Sequence, residues 1–332
     1  MTAPLPAAPA RAALRAAALA GAALLGVTAC GDGAAEGPGP DDALTVVTTT
    51  TVYADVVREI AGDAVVVDPI IGSTVQDPRS YEATAEDRAA VAGADLVVLN
   101  GGGYDAFMED LAAEGDAPVV EAYGVSGLAG ETAGRVPHEG HEHEGHEHGE
   151  SNQHVWYDLD AMDDVAGALA ARLAALDPSG ATAYRDNAGA FAAQLSGLRQ
   201  QLAGVPADNA AFVAVEPVAV PLLEDAGLHD DTPAEWAAAV ENGTDVPPHV
   251  LRQVRDELRG GHVQFLAFDA RTGSARTEQL RDDARSAGAV VVELTGALPE
   301  GTSYLEWMDG NVTAVAEALG ALRPTAPVTA AG

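Results

Sequence analysis

Short β-branched runs and amphipathic helical patterns alternate along this chain twice over, and that order restricts its fold more than any other feature. The run at 44–51 (LTVVTTTT) reads as a strand, after which Val52, Val56, Val57 and Ile60 share one helical face. A second strand is expected at 64–71 (AVVVDPII), then a polar turn over 72–81. Thr84 and Asp87 have the spacing of a capping box, which opens a helix at 85–92. DLVVLN at 95–100 is a third strand. Gly101, Gly102 and Gly103 close it as a tight strand-to-helix turn, because they lack the spacing and the lysine of a phosphate loop. A short helix around Phe107 and Leu111 leads to a fourth strand at 118–121.

Two longer helices separate the halves. Met162, Val165, Leu169, Leu173 and Leu176 keep a 3–4 spacing up to Pro178, and Tyr184, Phe191, Leu195, Leu198 and Leu202 repeat through 180–203. The second of these is longer than an average globular helix and can connect two lobes rigidly. Alternation then resumes: strand 211–215, helix 218–226, a polar segment at 236–248, helix 250–258, strand 263–268, a helix around Leu280, strand 289–294 and a closing helix at 303–322. The expected fold class is α/β, two lobes each with a mainly parallel sheet flanked by helices, joined by a long rigid helix. The N-terminal lobe spans 44–177, the linking helix 178–204, the C-terminal lobe 205–323 and a disordered tail 324–332. Ligands of such sheets sit beyond the carboxyl ends of the strands. Four places qualify: the 72–81 turn, His154, Glu216, and the loops starting at Asp269 or Thr295.

Six of the nine histidines lie between 138 and 154, in a chain with no lysine. His138, His141, His143, His146 and His148 alternate with glutamate and glycine, and nothing there is apolar enough to bury. Residues 136–150 therefore read as a mobile loop with weak metal sites, since imidazole suits zinc and other late first-row metals. His154 stands against Val155 and Trp156 and belongs to ordered structure, either as a satisfied structural histidine or as a ligand. The net charge of −34, from 51 acidic residues against 17 arginines, disfavours nucleic acid and anionic membrane surfaces and attracts cations. Cys30 is the single cysteine, which excludes an intrachain disulfide and a cysteine-based zinc site. Arg11 and Arg15 precede an apolar run ending in Val27-Thr28-Ala29-Cys30, so residues 1–30 read as a secretory signal; its Ala-Cys end resembles a bacterial lipoprotein signal with Cys30 as the lipidated residue, the alternative being an ordinary signal with a chance cysteine. Residues 31–43 follow as a flexible tether. After this start no uncharged apolar run is long enough to span a membrane.

Several stretches, in order, resemble the zinc/manganese solute-binding proteins of bacterial ABC importers (ZnuA-like, cluster A-I). They are Thr48 to Val57, Asp77-Pro78-Arg79-Ser80-Tyr81-Glu82, the His/Glu loop, His154-Val-Trp-Tyr-Asp158, the Glu216 to Gly227 segment and Leu298 to Tyr304. The resemblance implies two α/β lobes with one Zn²⁺ or Mn²⁺ in the cleft as cargo. It further implies a permease and its ATPase as partners, a monomer, and a place outside the cytoplasm, anchored through Cys30 to the outer face of the cell membrane. Residue by residue, the family's second ligand matches His154 and the third matches Glu216, the glutamate of manganese members. Arg79 stands in the slot of the first ligand, a histidine in the family, and arginine stays protonated and cannot coordinate. Gly296 stands in the slot of the fourth, with Asp269 and Glu293 as nearby substitutes. One expectation is that Arg79 pairs with Glu216 and bridges the lobes in the metal's stead. The other is that it swings into solvent and leaves a three-ligand site.

Three functions compete on this reading. The chain delivers Zn²⁺ or Mn²⁺ to an importer, or is a relative with impaired cleft binding that serves as a sensor, partner-binding or adhesin-like protein. The third is a metal-dependent hydrolase, since histidine and carboxylates around an open zinc position can activate water. No His-Glu-x-x-His or Gly-x-Ser-x-Gly motif supports catalysis, so the protein is read as no enzyme. His229, His249 and His262 stand alone and read as surface residues.

Overall fold

A computed structural model describes residues 43–128, 152–205, 207, 210–241, 243–269 and 275–321. Cys30, the signal and tether, the histidines at 138–148 and the 324–332 tail lie outside the described residues.

Two four-stranded parallel sheets carry the fold. The first contains β1 (Leu44–Thr50), β2 (Val65–Ile71), β3 (Leu96–Leu99) and β4 (Val119–Glu121), in the order β2-β1-β3-β4. The second contains β5 (Ala211–Ala214), β6 (His229–Asp230), β7 (Val263–Phe268) and β8 (Val290–Glu293), in the equivalent order β6-β5-β7-β8. β3 and β5 are buried along their whole length, as central strands covered by helices must be. The strand order reverses direction between β1 and β3, and again between β5 and β7, the switch points beyond which open α/β sheets in general receive ligands.

α1 (Thr51–Ala61) follows β1 with no loop between them. It buries Val52, Tyr53, Val56, Val57 and Ile60, while Arg58 and Glu59 face out. Gly62, at φ 60°, ends it. α2 (Ala85–Ala92) has the expected capping box: Thr84 Oγ1 accepts from Asp87 N–H and Asp87 Oδ2 accepts from Thr84 N–H. α3 (Ala106–Ala113) and α4 (Ala122–Val125) complete the first half up to residue 128. α5 (Leu159–Leu176) and α6 (Ala181–Ala203) pack along one another across a turn. In that turn Asp177 accepts from Ser179, Gly180 and Tyr184. α7 (Val220–Asp225), α8 (Ala234–Glu241), α9 (Pro248–Gly260), α10 (Ala275–Ala287) and α11 (Tyr304–Ala321) belong to the second half.

The expected fold class is the observed one. Three elements depart from the expected list: α4, a single turn directly after β4, and α8 and β6 in the second half. The stretch read as polar from residue 236 begins inside α8, whose Trp236 is buried with its indole N–H on the Val215 carbonyl at 3.0 Å. Three consecutive alanines at 237–239 favour helix yet give no periodic apolar signal. β6 is two residues long, too short for an alternation to register.

The largest buried cluster does not stop at the boundary between the halves. It includes Val46 and Val57 of the first half, Phe191 and Leu195 of α6, and Phe212, Leu222 and Val315 of the second. α6 packs against both α1 and α11, so the long helix is the common wall of the two halves. Smaller clusters fill the outer sides, around Met108 in the first half and around Trp236 and Phe268 in the second. Among the described residues no helix is long and apolar enough to cross a membrane.

Candidate functional site

His154 ends the extended approach to a 3-10 turn at Val155–Tyr157, and only 3% of it is exposed. Asn152 sets its orientation. The Asn152 Oδ1 accepts from His154 N–H at 2.9 Å and lies 2.7 Å from His154 Nδ1, while Nδ2 donates to the Pro217 carbonyl at 2.7 Å. These three bonds fix both the amide and the tautomer: Nδ1 carries the proton and Nε2 presents its lone pair. Burial, and then the charge of Arg79, push the His154 pKa down to about 3, so the ring is neutral over the physiological range. Tyr104 and Trp156 meet the imidazole edge-on, with ring centroids at 5.9 and 5.2 Å.

The lone pair has a partner. Arg79 Nη2 lies 3.1 Å from His154 Nε2, and the Arg79 Cζ sits 4.8 Å above the Tyr104 ring. Arg79 is held by a short 3-10 turn, Pro78–Ser80, whose preceding Asp77 accepts from its backbone N–H. The side chain itself is exposed. The expected pair of Arg79 with Glu216 is not among the ion pairs between described residues; the guanidinium bonds to the histidine of its own half instead.

Tyr104 owes its place to the glycine turn. Gly101, Gly102 and Gly103 take φ values of 78°, 62° and 83°, and a side chain on Gly102 would strike the Tyr123 ring. Asp105, fully buried, accepts from Thr49 Oγ1, Asn100 N–H and Gly101 N–H, and burial raises its pKa despite those bonds.

In the second half Glu216 follows β5 in extended conformation and is half-buried. Asp269, just after β7, is 4% exposed and its Oδ2 accepts from Gly296 N–H at 2.7 Å. Two of the three positions considered for the fourth ligand, Gly296 and Asp269, are thus neighbours, and Gly296 also lies against Val218 of the turn after Glu216. Glu293 is elsewhere: its exposed carboxylate meets Arg285 Nη2 at 3.3 Å. Among the described residues no three His, Cys, Asp or Glu side chains are placed to hold a metal ion together. His229 and His249 are on the surface, as expected, each beside a carboxylate. Asn152 and Tyr104 were not singled out from the sequence. A signal existed for Asn152, a buriable amide two residues before a histidine, but its role depends on a carbonyl 65 positions away.

The chain belongs to the family described as ZnuA, zinc-uptake complex component A, periplasmic, whose profile matches residues 46–318. Among curated relatives, the manganese ABC transporter substrate-binding lipoprotein PsaA of Streptococcus pneumoniae is 29% identical over 163 residues, 48% of this chain and 50% of PsaA. The manganese-binding lipoprotein MntA of Bacillus subtilis is 28% identical over 162 residues, 48% and 49% of the two chains. The chain thus spans about half the length of the curated relatives it matches. Among solved structures, the periplasmic zinc-binding protein TroA of Treponema pallidum superposes with a TM-score of 0.67 at 22% identity, over 83% of this chain and 99% of TroA. The solute-binding protein FpvC of Pseudomonas aeruginosa, solved with Mn²⁺, has a TM-score of 0.67 at 26% identity, covering 84% and 99%.

Proposed function

We propose that this protein is the metal-receiving component of an ABC importer, binding Zn²⁺ or Mn²⁺ outside the cytoplasm and passing it to a permease with its ATPase. Its part is binding rather than catalysis. The observation that carries the reading is the neutral His154 with Nδ1–H held by Asn152 and Nε2 facing Arg79, the orientation a ligand histidine takes from its outer partner. Glu216 and Asp269 would add oxygen donors from the second half, a mixed set acceptable to zinc or, with further oxygens, to manganese. Cys30 would hold the protein at the membrane, and the 138–148 histidines would collect metal weakly.

Arg79 sets the condition. Its guanidinium takes the lone pair a metal needs, and a unit positive charge at about 4 Å repels each charge of the incoming ion by about 4 kcal/mol at an effective dielectric near 20. The exposed side chain must leave before metal enters. A second reading follows from the same contact: the cleft has lost metal binding and the chain acts as a sensor or partner-binding relative.

Zinc and manganese titrations of chelator-treated protein lacking 136–150 separate these. On the first reading the cleft binds metal, Arg79→His tightens it more than about tenfold, and His154→Ala or Glu216→Ala weakens it about as much. Equal affinity in all four proteins removes the cleft as a site. No cleft binding until Arg79→His restores it establishes the second reading.

A further inference from the structure

Asn152 touches both halves at once. Its Nδ2 donates across the boundary to the carbonyl of Pro217, the residue directly after Glu216, and its Oδ1 faces the His154 ring on its own side. The backbone beside it is pinned as well. Asn100 Nδ2 donates to the Gln153 carbonyl at 2.9 Å, and the Tyr53 hydroxyl donates to Asn100 Oδ1 at 2.5 Å, which orients that amide in turn.

Main-chain groups alone decide which way round the Asn152 amide lies. A main-chain N–H only donates and a main-chain carbonyl only accepts. His154 N–H therefore requires the amide oxygen, and the Pro217 carbonyl requires the amide nitrogen. A turned amide would lose both bonds and offer a donor to His154 Nδ1, which would move the imidazole proton to Nε2. Arg79 favours the present tautomer from the opposite side, because a guanidinium can only donate to Nε2. The bonds from Arg79 through His154 and Asn152 to Pro217 thus all run one way, from the first half to the second.

These two constraints on the proton differ in permanence. The Arg79 side chain is exposed, whereas the Asn152 amide is tied at both ends. A metal ion reaches Nε2 only after the guanidinium has left, and from that moment Arg79 no longer governs the ring. We infer that Asn152 is a positioning residue for metal capture: anchored on the second half, it keeps the proton on Nδ1 while the arginine is away, so that the Nε2 lone pair stays available. The role assumes the metal reading for its purpose but not for its test.

Long-range ¹⁵N–¹H correlations of the imidazole ring report the tautomer in metal-free full-length protein labelled at histidine, and His154→Gln identifies the signals. Arg79→Ala should leave the proton on Nδ1. Adding Asn152→Ala should move most of it to Nε2, the form a free histidine side chain favours. Asn152→Asp in its place keeps an oxygen toward the ring and should restore Nδ1–H. A proton already on Nε2 in Arg79→Ala would mean that the arginine sets the tautomer, and would overturn the inference. Persistence of Nδ1–H in the alanine double variant would overturn it equally. The first comparison leaves Asn152 in place, so it decides even where the double variant does not fold. Zinc binding that His154→Gln abolishes belongs to the cleft. In the Arg79→Ala background Asn152→Ala should weaken that binding about tenfold or more, and Asn152→Asp should not. Equal, measurable cleft affinity with and without the alanine would count against the role. A tautomer that follows Asn152 in a cleft that takes up no zinc would sustain it and refute the metal reading.

Discussion

Burial and the neighbouring guanidinium hold the His154 pKa at about 3, against about 6.5 in an unfolded chain, and this makes one residue a measurable part of acid stability. Below pH 6.5 the unfolded state takes up a proton that the folded imidazole refuses. The stabilisation is therefore complete above pH 6.5 and is lost as pH falls toward 3, at up to about 1.4 kcal/mol per pH unit. His154→Gln should flatten the urea-derived stability profile between pH 6.5 and 4 relative to the parent, both with chelator present. Parallel profiles would mean that the ring is already charged in the fold. Both Arg79 and His154 stood out in the sequence, one as a departure from a family pattern and one as an ordered histidine. Their direct contact did not, because a guanidinium can reach several acceptors and its choice depends on the tertiary positions of Tyr104 and Asn152.

At the scale of elements, local chemistry was the readable part. The Thr84–Asp87 box, the glycine turn after β3 and the span of β7 each follow from neighbouring residues and appear where expected. α8 and β6 were lost because alanine is silent in a periodic pattern and two residues form no pattern. Thr84→Ala removes a side-chain acceptor at the start of α2 and should cost about 1 kcal/mol in chemical denaturation. Asp87 loses with it one of the groups that hold its carboxyl below the usual range, since the Thr84 hydroxyl also donates to Asp87 Oδ2. Thr84→Ser, which keeps the hydroxyl, should recover most of the loss; an equal loss in both would trace it to packing of the methyl group.

For the whole molecule, the apolar layer on α6 makes the halves interdependent. Leu195 is fully buried within it, and Leu195→Ala should cost about 2–5 kcal/mol. The loss should register equally in the fluorescence of Trp156, from the first half, and of Trp236, from the second, each followed in a single-tryptophan background. Separate midpoints for the two reporters would show that the layer does not couple the halves. Polar ties cross the same boundary: Tyr304 N–H donates to Asp55 Oδ2, Tyr304 OH to the Trp156 carbonyl, and Tyr157 OH to the Thr295 carbonyl. An interior packed as densely as an organic crystal resists rotation, since turning one sheet against the other would open gaps along the full length of α6. Small-angle scattering should accordingly give one radius of gyration with and without Zn²⁺. Entry to His154 then needs little more than the swing of one exposed arginine: the molecule has a latch, and its jaws stay shut.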